Sequence, residues 1–340
     1  MSKLMNQQIL LKSRPVGEPT ESDFALVETA IPEPGEAEVL NRTIYLSLDP
    51  YMRGRMSDRE SYVAPVELGE VMGGSTVSQV VKSNHPQFSE GEFVLGYDGW
   101  QSYGVTNGEN LRKLDPTQLP ISYALGITGM PGMTAYFSLL DIGKPKAGET
   151  VVVSAASGAV GAVVGQIAKI KGCRAVGIAG SDEKCDYVVK ELGFDACINR
   201  KTQDLSSALK AACPNGIDVY VDHTAGAILE AVLQHINLGA RIPLVGLISQ
   251  YNAERLPPGP NLMPLLVKRA LIKGFLVGDY QERRAEFISD MSQWLQADKL
   301  KYKEDVVKGL KNAPHAFIGL LQGENFGKLV IQVGDHSTKD

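Results

Sequence analysis

The chain has 340 residues, of which 34 are Lys or Arg and 39 are Asp or Glu, so its formal net charge is −5. Apolar residues make up 44% of the chain and charged residues 21%, which excludes a disordered chain, a collagen-like fibre and a small disulfide scaffold. Mild acidity without basic runs disfavours nucleic acid and anionic membranes as partners and favours a small molecule. The length predicts about two domains.

The N-terminal segment, residues 1–8, lacks the apolar core and cleavage site of a signal peptide. No later stretch reaches about 18 uninterrupted apolar residues, so a cytoplasmic protein that does not cross a membrane is predicted. The cysteines are Cys173, Cys185, Cys197 and Cys213, and the histidines are His85, His223, His235, His315 and His336. Because they form no CxxC or HxxxH pair, we expect reduced thiols and no metal site.

The first 125 or so residues read as short strands separated by turns. Residues 39–46 alternate between apolar and polar, residues 77–81 are rich in β-branched side chains, and glycines bound the run at 91–96. This pattern predicts a β-rich, barrel-like unit.

From about Gly148 the pattern changes, and short apolar runs alternate with helical stretches. The runs are residues 150–154, 175–179, 196–199, 219–222, 242–248 and 272–277. Continuous apolar strands separated by helices are typical of a parallel sheet buried on both faces, which is the doubly wound α/β pattern. After Lys299 the strand-like pattern returns, and residues 327–333 are expected to rejoin the first unit.

A glycine-rich turn lies between the first of these runs and the next helix. Ala156 stands where the GxGxxG fingerprint has its first glycine, and Gly158 and Gly161 follow. Gly158 would let a pyrophosphate approach the backbone, Gly161 would let the helix pack on the strand, and the helix N-terminus would face the phosphates. The alternative is that both glycines serve close packing alone.

The residues at the end of the second strand of the sheet determine whether such a site prefers NAD or NADP. There the chain has Gly180 and Ser181 where an NAD site has an acid, so a 2′-phosphate would fit. Ser181 can cap the following helix, while Lys184 and Arg200 are candidate cations for the phosphate, so NADP is favoured. The alternative makes Asp182 the ribose acid and Lys184 a solvated helix residue.

Several motifs together resemble the zinc-free medium-chain dehydrogenase/reductases, and within them the prostaglandin reductase and alkenal double-bond reductase group. They are PGEAEVL (34–40), LDPYMR (48–53), GMPGMTAY (129–136), AASGAVG (155–161), AGSDEK (179–184) and GENFGK (323–328). The resemblance runs through essentially the whole chain in order.

This resemblance implies a GroES-like catalytic domain at 1–128, completed by 303–340, and a Rossmann domain at 129–302. It also implies a nicotinamide in the cleft between the domains and a homodimer. Zinc members have a Cys near the position of Ser47, a GHE triplet where this chain has Leu68-Gly69-Glu70, and a four-cysteine lobe that is absent here. The resemblance therefore implies a zinc-independent enzyme.

The cofactor-binding residues that these patterns and the resemblance together imply belong to six segments and the C-terminal tail. They are Met130, Pro131 and Thr134; Gly158, Ala159, Val160 and Gly161; Gly180, Ser181, Lys184 and Arg200; His223; Gly246, Leu247, Ile248, Ser249 and Tyr251; Phe275, Leu276 and Val277; and Asn325. Two of them depart from the group: Arg200 stands where many relatives have Tyr, and His223 stands at an Asn position.

The reaction that the resemblance implies is reduction of the carbon–carbon double bond of an α,β-unsaturated ketone or aldehyde by NADPH. Hydride addition to the β-carbon leaves an enolate, which neutral donors such as tyrosine can stabilise in a dry cleft. Tyr251, past a strand end, and Tyr51, in the first domain, are the candidates. Alternatively, Tyr251 binds the cofactor ribose and Tyr51 only walls the substrate pocket.

Other readings stay open on the sequence. The enzyme could be a quinone reductase, or the chain could bind NADPH without turnover as a sensor. Trp100 and Tyr103 could line an aromatic substrate pocket or fill the core, and residues 256–264 could shape the substrate mouth or simply connect two elements.

Overall fold

The computed structural model describes residues 4–59 and 61–335. Residues 1–3 of the N-terminal segment and His336, both considered above, lie outside this description. The chain divides into two compact units. The first contains the described residues up to Leu125, Glu304–Asn325 and the residues from Leu329 onward, and the second contains Gly126–Lys303 and Phe326–Lys328.

The strands are β1 (Met5–Leu11), β2 (Phe24–Ala30), β3 (Val39–Ser47), β4 (Thr76–Ser83), β5 (Phe93–Gly96), β6 (Tyr103–Thr106), β7 (Arg112–Leu114), β8 (Thr150–Ser154), β9 (Arg174–Ala179), β10 (Ala196–Asn199), β11 (Ile217–Val221), β12 (Ile236–Leu244), β13 (Leu271–Gly274), β14 (Glu304–Lys308) and β15 (Lys328–Gln332). The α-helices are α1 (Met52–Arg55), α2 (Met130–Phe137), α3 (Gly161–Ile170), α4 (Asp182–Lys190), α5 (Leu205–Ala212), α6 (Gly226–Leu233), α7 (Ile248–Tyr251), α8 (Met263–Lys268), α9 (Arg284–Gln296) and α10 (Ala313–Gln322). Short 3₁₀ turns occupy Glu21–Asp23, Ile121–Leu125, Val277–Arg283 and Leu310–Asn312, and a π-helical turn follows α2 at Ser138–Gly143.

The first unit is built on an antiparallel sheet. Its strands follow the order β14, β15, β3, β4, β5 and β7, with β6 also pairing with β3, and a separate hairpin joins β1 to β2. Strand β15 of the C-terminal tail pairs with β3, Val330 opposite Ser47, and the tail from Leu329 to residue 335 belongs to this unit. Trp100 is fully buried and its ring lies 5.6 Å from those of Phe24 and Phe317, so it fills the core.

The second unit is built on a parallel sheet with the strand order β10, β9, β8, β11, β12 and β13. All five residues of β8 are buried, as expected for a β-branched strand that is covered on both faces. The chain leaves β8 toward β9 on one side and takes up β11 on the other, so the order reverses at β8. This is the doubly wound Rossmann pattern, and it confirms the predicted fold class.

Two predicted strands extend too far: the run at 272–277 continues past Gly274, where β13 ends, and the run at 242–248 continues past the end of β12. The apolar run at 242–248 predicts a strand there, whereas β12 ends at Leu244 and Ile248 begins a helical turn. The amides of Val245 and Gly246 both donate to the backbone oxygen of Asp222, at 2.8 and 3.2 Å. These bonds draw the chain across the end of β11. The last residues of the apolar run, 245–248, therefore lie outside β12.

Candidate active site

The turn after β8 brings the chain from Ser154 to the first residue of α3, Gly161. Ala155 adopts a left-handed conformation with φ 50°, and the amide of Gly158 donates to its carbonyl oxygen at 2.9 Å. A Cβ on Gly161 would overlap that same oxygen, so close packing requires glycine at this position. The first glycine of the fingerprint makes the tight turn, and Ala156 stands at its position. Here the left-handed residue is instead Ala155, and the amide of Ala156 donates to the Ile178 oxygen of β9.

Gly158 is under a different constraint. A Cβ there would meet a single neighbour within 4 Å, the Ala155 oxygen at 3.2 Å. Protein packing therefore does not fill the space beside Gly158, which leaves room for the predicted pyrophosphate at the start of a ten-residue helix. Gly327 forms a parallel bridge with Gly158 and brings the Phe326–Lys328 segment to the turn. Asn325, the predicted tail contact, directly precedes this segment and belongs to the first unit.

The segment after β9 starts α4 in the way the sequence predicts. The Ser181 hydroxyl accepts the amide of Lys184 at 3.3 Å and so caps the helix. Asp182, the alternative ribose acid, accepts a 2.7 Å hydrogen bond from the Asn199 side-chain amide at the end of β10. The carboxylate of Asp182 is thus used within the protein, which favours a 2′-phosphate over an unmodified ribose here.

Sequence reasoning missed one basic side chain at this position. The Lys201 Cε lies 3.9 Å from where a Cβ on Gly180 would be, and Lys201 is exposed. Arg200, the predicted second cation, donates its amide to the Ala179 oxygen at 3.0 Å and is also exposed. Lys201 could have been found from the sequence, because it is adjacent to Arg200 directly after β10.

His223 follows β11, and its contacts anchor it to the end of β8. Its amide donates to the Ser154 hydroxyl at 2.9 Å, and its Nδ1 lies 3.0 Å from the Ser154 carbonyl oxygen. A carbonyl accepts, so Nδ1 carries the proton. Burial lowers the pKa of His223, and Nε2, which is buried, has no hydrogen-bond partner within residues 4–59 and 61–335. A buried acceptor without a partner beside the glycine turn suits a hydroxyl or amide of a dinucleotide.

The segment from Gly246 to Tyr251 lies against the same loop. The Ser249 hydroxyl donates to the Thr224 carbonyl oxygen at 2.6 Å, and the Tyr251 hydroxyl accepts the Leu247 amide at 3.4 Å. A Cβ on Gly246 would lie 3.2 Å from the His223 oxygen and 3.4 Å from the Tyr251 hydroxyl. The carboxyl ends of β8, β11 and β12 therefore bring the start of the glycine turn, His223 and the segment from Gly246 to Tyr251 close together.

Two further predicted segments lie in this second unit. Helix α2, which carries Met130, Pro131 and Thr134, packs on α3, and the Thr134 hydroxyl lies 3.7 Å from the Met130 sulfur. Phe275 is buried and stacks on Tyr280 at 5.2 Å, so its side chain belongs to an aromatic stack. Leu276 is exposed and Val277 is half-buried.

In the first unit, Tyr51 belongs to a cluster that the sequence did not reveal. The Arg55 guanidinium donates to the Tyr97 hydroxyl at 2.6 Å, and the hydroxyls of Tyr97 and Tyr51 lie 3.5 Å apart. Gly73 makes room for this cluster, because a Cβ there would lie 2.7 Å from the Tyr97 hydroxyl. Burial is the main cause that raises the pKa of Tyr51 above its usual value, so this phenol stays protonated at neutral pH.

In the part of the chain that the structure describes, no group of three or more His, Cys, Asp or Glu side chains is placed to hold a metal ion. Nor does any described helix have the length and apolar character needed to cross a bilayer.

Comparison with known proteins identifies the family. Residues 7–114 match the family described as "N-terminal domain of oxidoreductase", and residues 159–296 match "Zinc-binding dehydrogenase". The chain is 53% identical to the NADPH-dependent curcumin reductase of Escherichia coli over 97% of this chain and 98% of the relative. It is 44% identical to the NADP(+)-dependent 2-alkenal reductase of Nicotiana tabacum, over the same shares.

Solved structures agree with these relatives. CurA from Vibrio vulnificus in complex with NADPH is 54% identical and superposes with a TM-score of 0.93, covering 97% of this chain and 99% of that one. Since identities of 44%, 53% and 54% extend over nearly the whole chain, the family follows directly. The chain belongs to the zinc-free medium-chain dehydrogenase/reductases, in the group of the alkenal, curcumin and prostaglandin reductases.

Proposed function

We propose that this protein is an NADPH-dependent, zinc-independent reductase of the carbon–carbon double bond in α,β-unsaturated ketones and aldehydes. The observation that carries the proposal is identity of 44% and 53%, over nearly the full chain, to relatives named as NADP-dependent alkenal and NADPH-dependent curcumin reductases. Small enones and enals are the substrate class. The physiological location that we propose is the cytoplasm.

The second unit would hold the cofactor along the carboxyl ends of its strands. The turn from Gly158 to Gly161, with Ala159 and Val160, would receive the pyrophosphate, and Ser181, Lys184 and the basic pair at 200–201 would receive the 2′-phosphate. The remaining predicted contacts, from His223, residues 246–251 and 275–277, α2 and Asn325, would surround the rest. When bound, NADPH supplies the hydride for the β-carbon of the substrate.

Tyr251 is proposed as a hydrogen-bond donor to the substrate oxygen. Its hydroxyl oxygen accepts the Leu247 amide, which leaves its own proton available to donate. Burial raises the pKa of Tyr251, so the proton is present at neutral pH. A hydrogen bond to the cofactor ribose is the alternative role. Loss of one oxyanion donor typically costs about 3 kcal/mol, so Tyr251→Phe should lower kcat for an enone about 100-fold while NADPH still binds. An unchanged kcat would remove Tyr251 from the mechanism.

Tyr51 is proposed as a second donor, and Arg55 supports this role through Tyr97. Arginine can only donate, so the bond from Arg55 occupies an acceptor site of Tyr97 and leaves the Tyr97 proton to point elsewhere. Donation from Tyr97 toward Tyr51 would in turn leave the Tyr51 proton for a ligand. We expect Tyr51→Phe to lower kcat more than Tyr97→Phe, since Tyr97 acts through Tyr51. Equal kcat in Tyr51→Phe and the unaltered protein would assign Tyr51 to the pocket wall.

One assay separates the proposal from its alternatives. NADPH deuterated at the transferred position of C4 is mixed with a simple enone, and the product is analysed by NMR. Loss of NADPH absorbance together with deuterium on the β-carbon supports the proposal. Turnover with quinones alone supports a quinone reductase, and tight NADPH binding without any turnover supports a sensor.

We also propose that the protein is a homodimer that pairs through the free edge of the parallel sheet. All four residues of the edge strand β13 are exposed, and two of them, Leu271 and Ile272, are apolar. The neighbouring helix α8 exposes Leu266 and Val267. An apolar edge of this kind is a liability unless another chain covers it.

A further inference from the structure

Two of the four cysteines lie together in the second unit. Cys185 is the fourth residue of α4, and Cys197 is the second residue of β10. Their thiols lie within hydrogen-bonding reach of each other. The neighbouring packing agrees: a Cβ on Gly177, the β9 residue opposite Cys197, would lie 3.2 Å from the Cys197 Sγ and 3.1 Å from Val188 Cγ1. The Cys197 sulfur therefore faces α4.

Cys185 lies on the same face of α4 as Val188, because residues three apart in a helix are neighbours on its surface. Both Cys185 and Cys197 are partly exposed, so a small oxidant can reach them, whereas Cys173 and Cys213 are buried. Burial raises the pKa of Cys173 and of Cys213 to about 11. The hydrogen bond from Cys197 instead lowers the pKa of Cys185, which makes Cys185 the more reactive thiol.

We propose that Cys185 and Cys197 form an oxidisable dithiol that a hydroperoxide converts to a disulfide, and that the disulfide weakens NADPH binding. The part concerning NADPH rests on the proposed function. In the first step the Cys185 thiolate attacks a peroxide oxygen, the O–O bond breaks, and the alcohol or water leaves with a proton. Cys197 then attacks the Cys185 sulfenic acid, the S–S bond forms and water leaves. The two sulfurs together lose two electrons, and the peroxide gains them.

The position of the pair couples it to the phosphate end of the cofactor site. Cys185 directly follows Lys184, and Cys197 lies two residues before Asn199, whose amide holds Asp182 at the start of α4. A disulfide brings the two sulfurs to about 2.05 Å, well inside the contact distance of two thiols. We expect its formation to draw the first turn of α4 toward β10 and to displace Ser181 and Lys184. By thermodynamic linkage, bound NADPH should in turn protect the thiols from oxidation.

The test treats the full-length protein with hydrogen peroxide and measures free thiols, intact mass and the Kd for NADPH. We expect loss of two of the four thiols, a disulfide between the peptides of Cys185 and Cys197, and a Kd for NADPH raised at least about fivefold, with reversal by dithiothreitol. Cys185→Ser and Cys197→Ala should form no disulfide, and after peroxide they should bind NADPH as tightly as before it. Cys213→Ser should behave like the unaltered protein.

Two results would overturn the inference: four free thiols after peroxide, or a Cys185–Cys197 disulfide with an unchanged Kd for NADPH. Failure of the proposed function would look different. In that case the reduced protein would not bind NADPH at all, while thiol counting and mass would still report whether the disulfide forms.

Discussion

Gly158 and Gly161 belong to one turn, but a side chain at each position would meet different surroundings. In Gly161→Ala the new methyl group overlaps the Ala155 oxygen, so the free energy of unfolding should fall by about 1–3 kcal/mol. In Gly158→Ala the methyl group has space within the protein but occupies the proposed pyrophosphate position. That variant should keep its stability within about 1 kcal/mol and bind NADPH about tenfold more weakly.

Urea unfolding and fluorescence titration with NADPH would check both glycine variants. An unaltered Kd in a stable Gly158→Ala protein would show that the turn serves packing alone.

The contribution of each basic residue near Ser181 to binding of the 2′-phosphate can be measured by comparing NADPH with NADH. A charge-assisted hydrogen bond contributes about 1.5–3 kcal/mol, so Lys184→Ala should weaken NADPH binding about tenfold or more and leave NADH nearly unaffected. Lys201→Ala should act in the same direction, because its side chain lies beside Gly180. Isothermal titration with both cofactors measures this, and Arg200→Ala shows whether the other member of the basic pair also contributes. Equal losses for NADPH and NADH would contradict the assignment.

His223 should make stability depend on pH. Its pKa in the folded protein lies below that of an exposed histidine because of burial, so below about pH 6.5 the unfolded chain takes up a proton that the folded protein does not. The free energy of unfolding should therefore fall as the pH falls from 6.5 toward the folded pKa, by at most about 1.4 kcal/mol per pH unit. His223→Asn should reduce this slope. Urea midpoints measured between about pH 7.5 and 5.5 would show it, and identical slopes in both proteins would argue against it.

At the scale of elements, Arg241 of β12 ties the sheet to the turn that precedes β8. Its guanidinium donates to the carbonyl oxygens of Gly143 and Lys144 at 2.8 and 2.9 Å and pairs with Glu149 at 2.5 Å. Burial alone would raise the pKa of Glu149, but the hydrogen bond from Arg241 holds it below its usual value. The carbonyl oxygens at the end of the π-helical turn thereby gain a donor that the turn itself does not supply.

Replacing Arg241 leaves those acceptors and a mostly buried carboxylate without their partner. Arg241→Met should lower the free energy of unfolding by about 3 kcal/mol. The Kd for NADPH should not change, since Glu149 and Arg241 lie at the opposite end of the strands from the glycine turn. Denaturant unfolding measures the first effect, and Arg241→Lys, which keeps the charge but loses the forked geometry, should fall between. A loss under about 0.5 kcal/mol in Arg241→Met would show that the cluster contributes little.

At the scale of the whole molecule, the exposed apolar edge of the second unit predicts the assembly. Ile272 is 38% exposed in the edge strand, and Leu266 is 73% exposed on α8. Ile272→Lys and Leu266→Glu should each shift a dimer toward the monomer, because a charge on this edge would lose its hydration on pairing. Light scattering after size exclusion measures the mass. Val16→Lys, at an exposed apolar position in the first unit, should leave the dimer intact. A monomer before any substitution would contradict the prediction.

The sequence alone determined those features that depend on neighbours along the chain. Strands β8 and β10 begin and end where their apolar runs do, and the Ser181 cap follows from a hydroxyl three residues before the amide that it accepts. Backbone propensity, hydrophobic periodicity and capping all act over a few residues, so they can be predicted from the amino-acid sequence. The longer motifs also indicated the family, and the family implies the fold and the class of cofactor.

Only the tertiary structure decided which distant residues meet. The early end of β12 depends on Asp222, about twenty residues before it; the bond between Arg55 and Tyr97 spans 42 residues; and the contact of Cys185 with Cys197 requires α4 to fold back on β10. Trp100 was equally compatible with a pocket or a core until Phe24 and Phe317 were seen to enclose it. Such contacts depend on the packing of whole elements, whose side-chain directions no local pattern specifies.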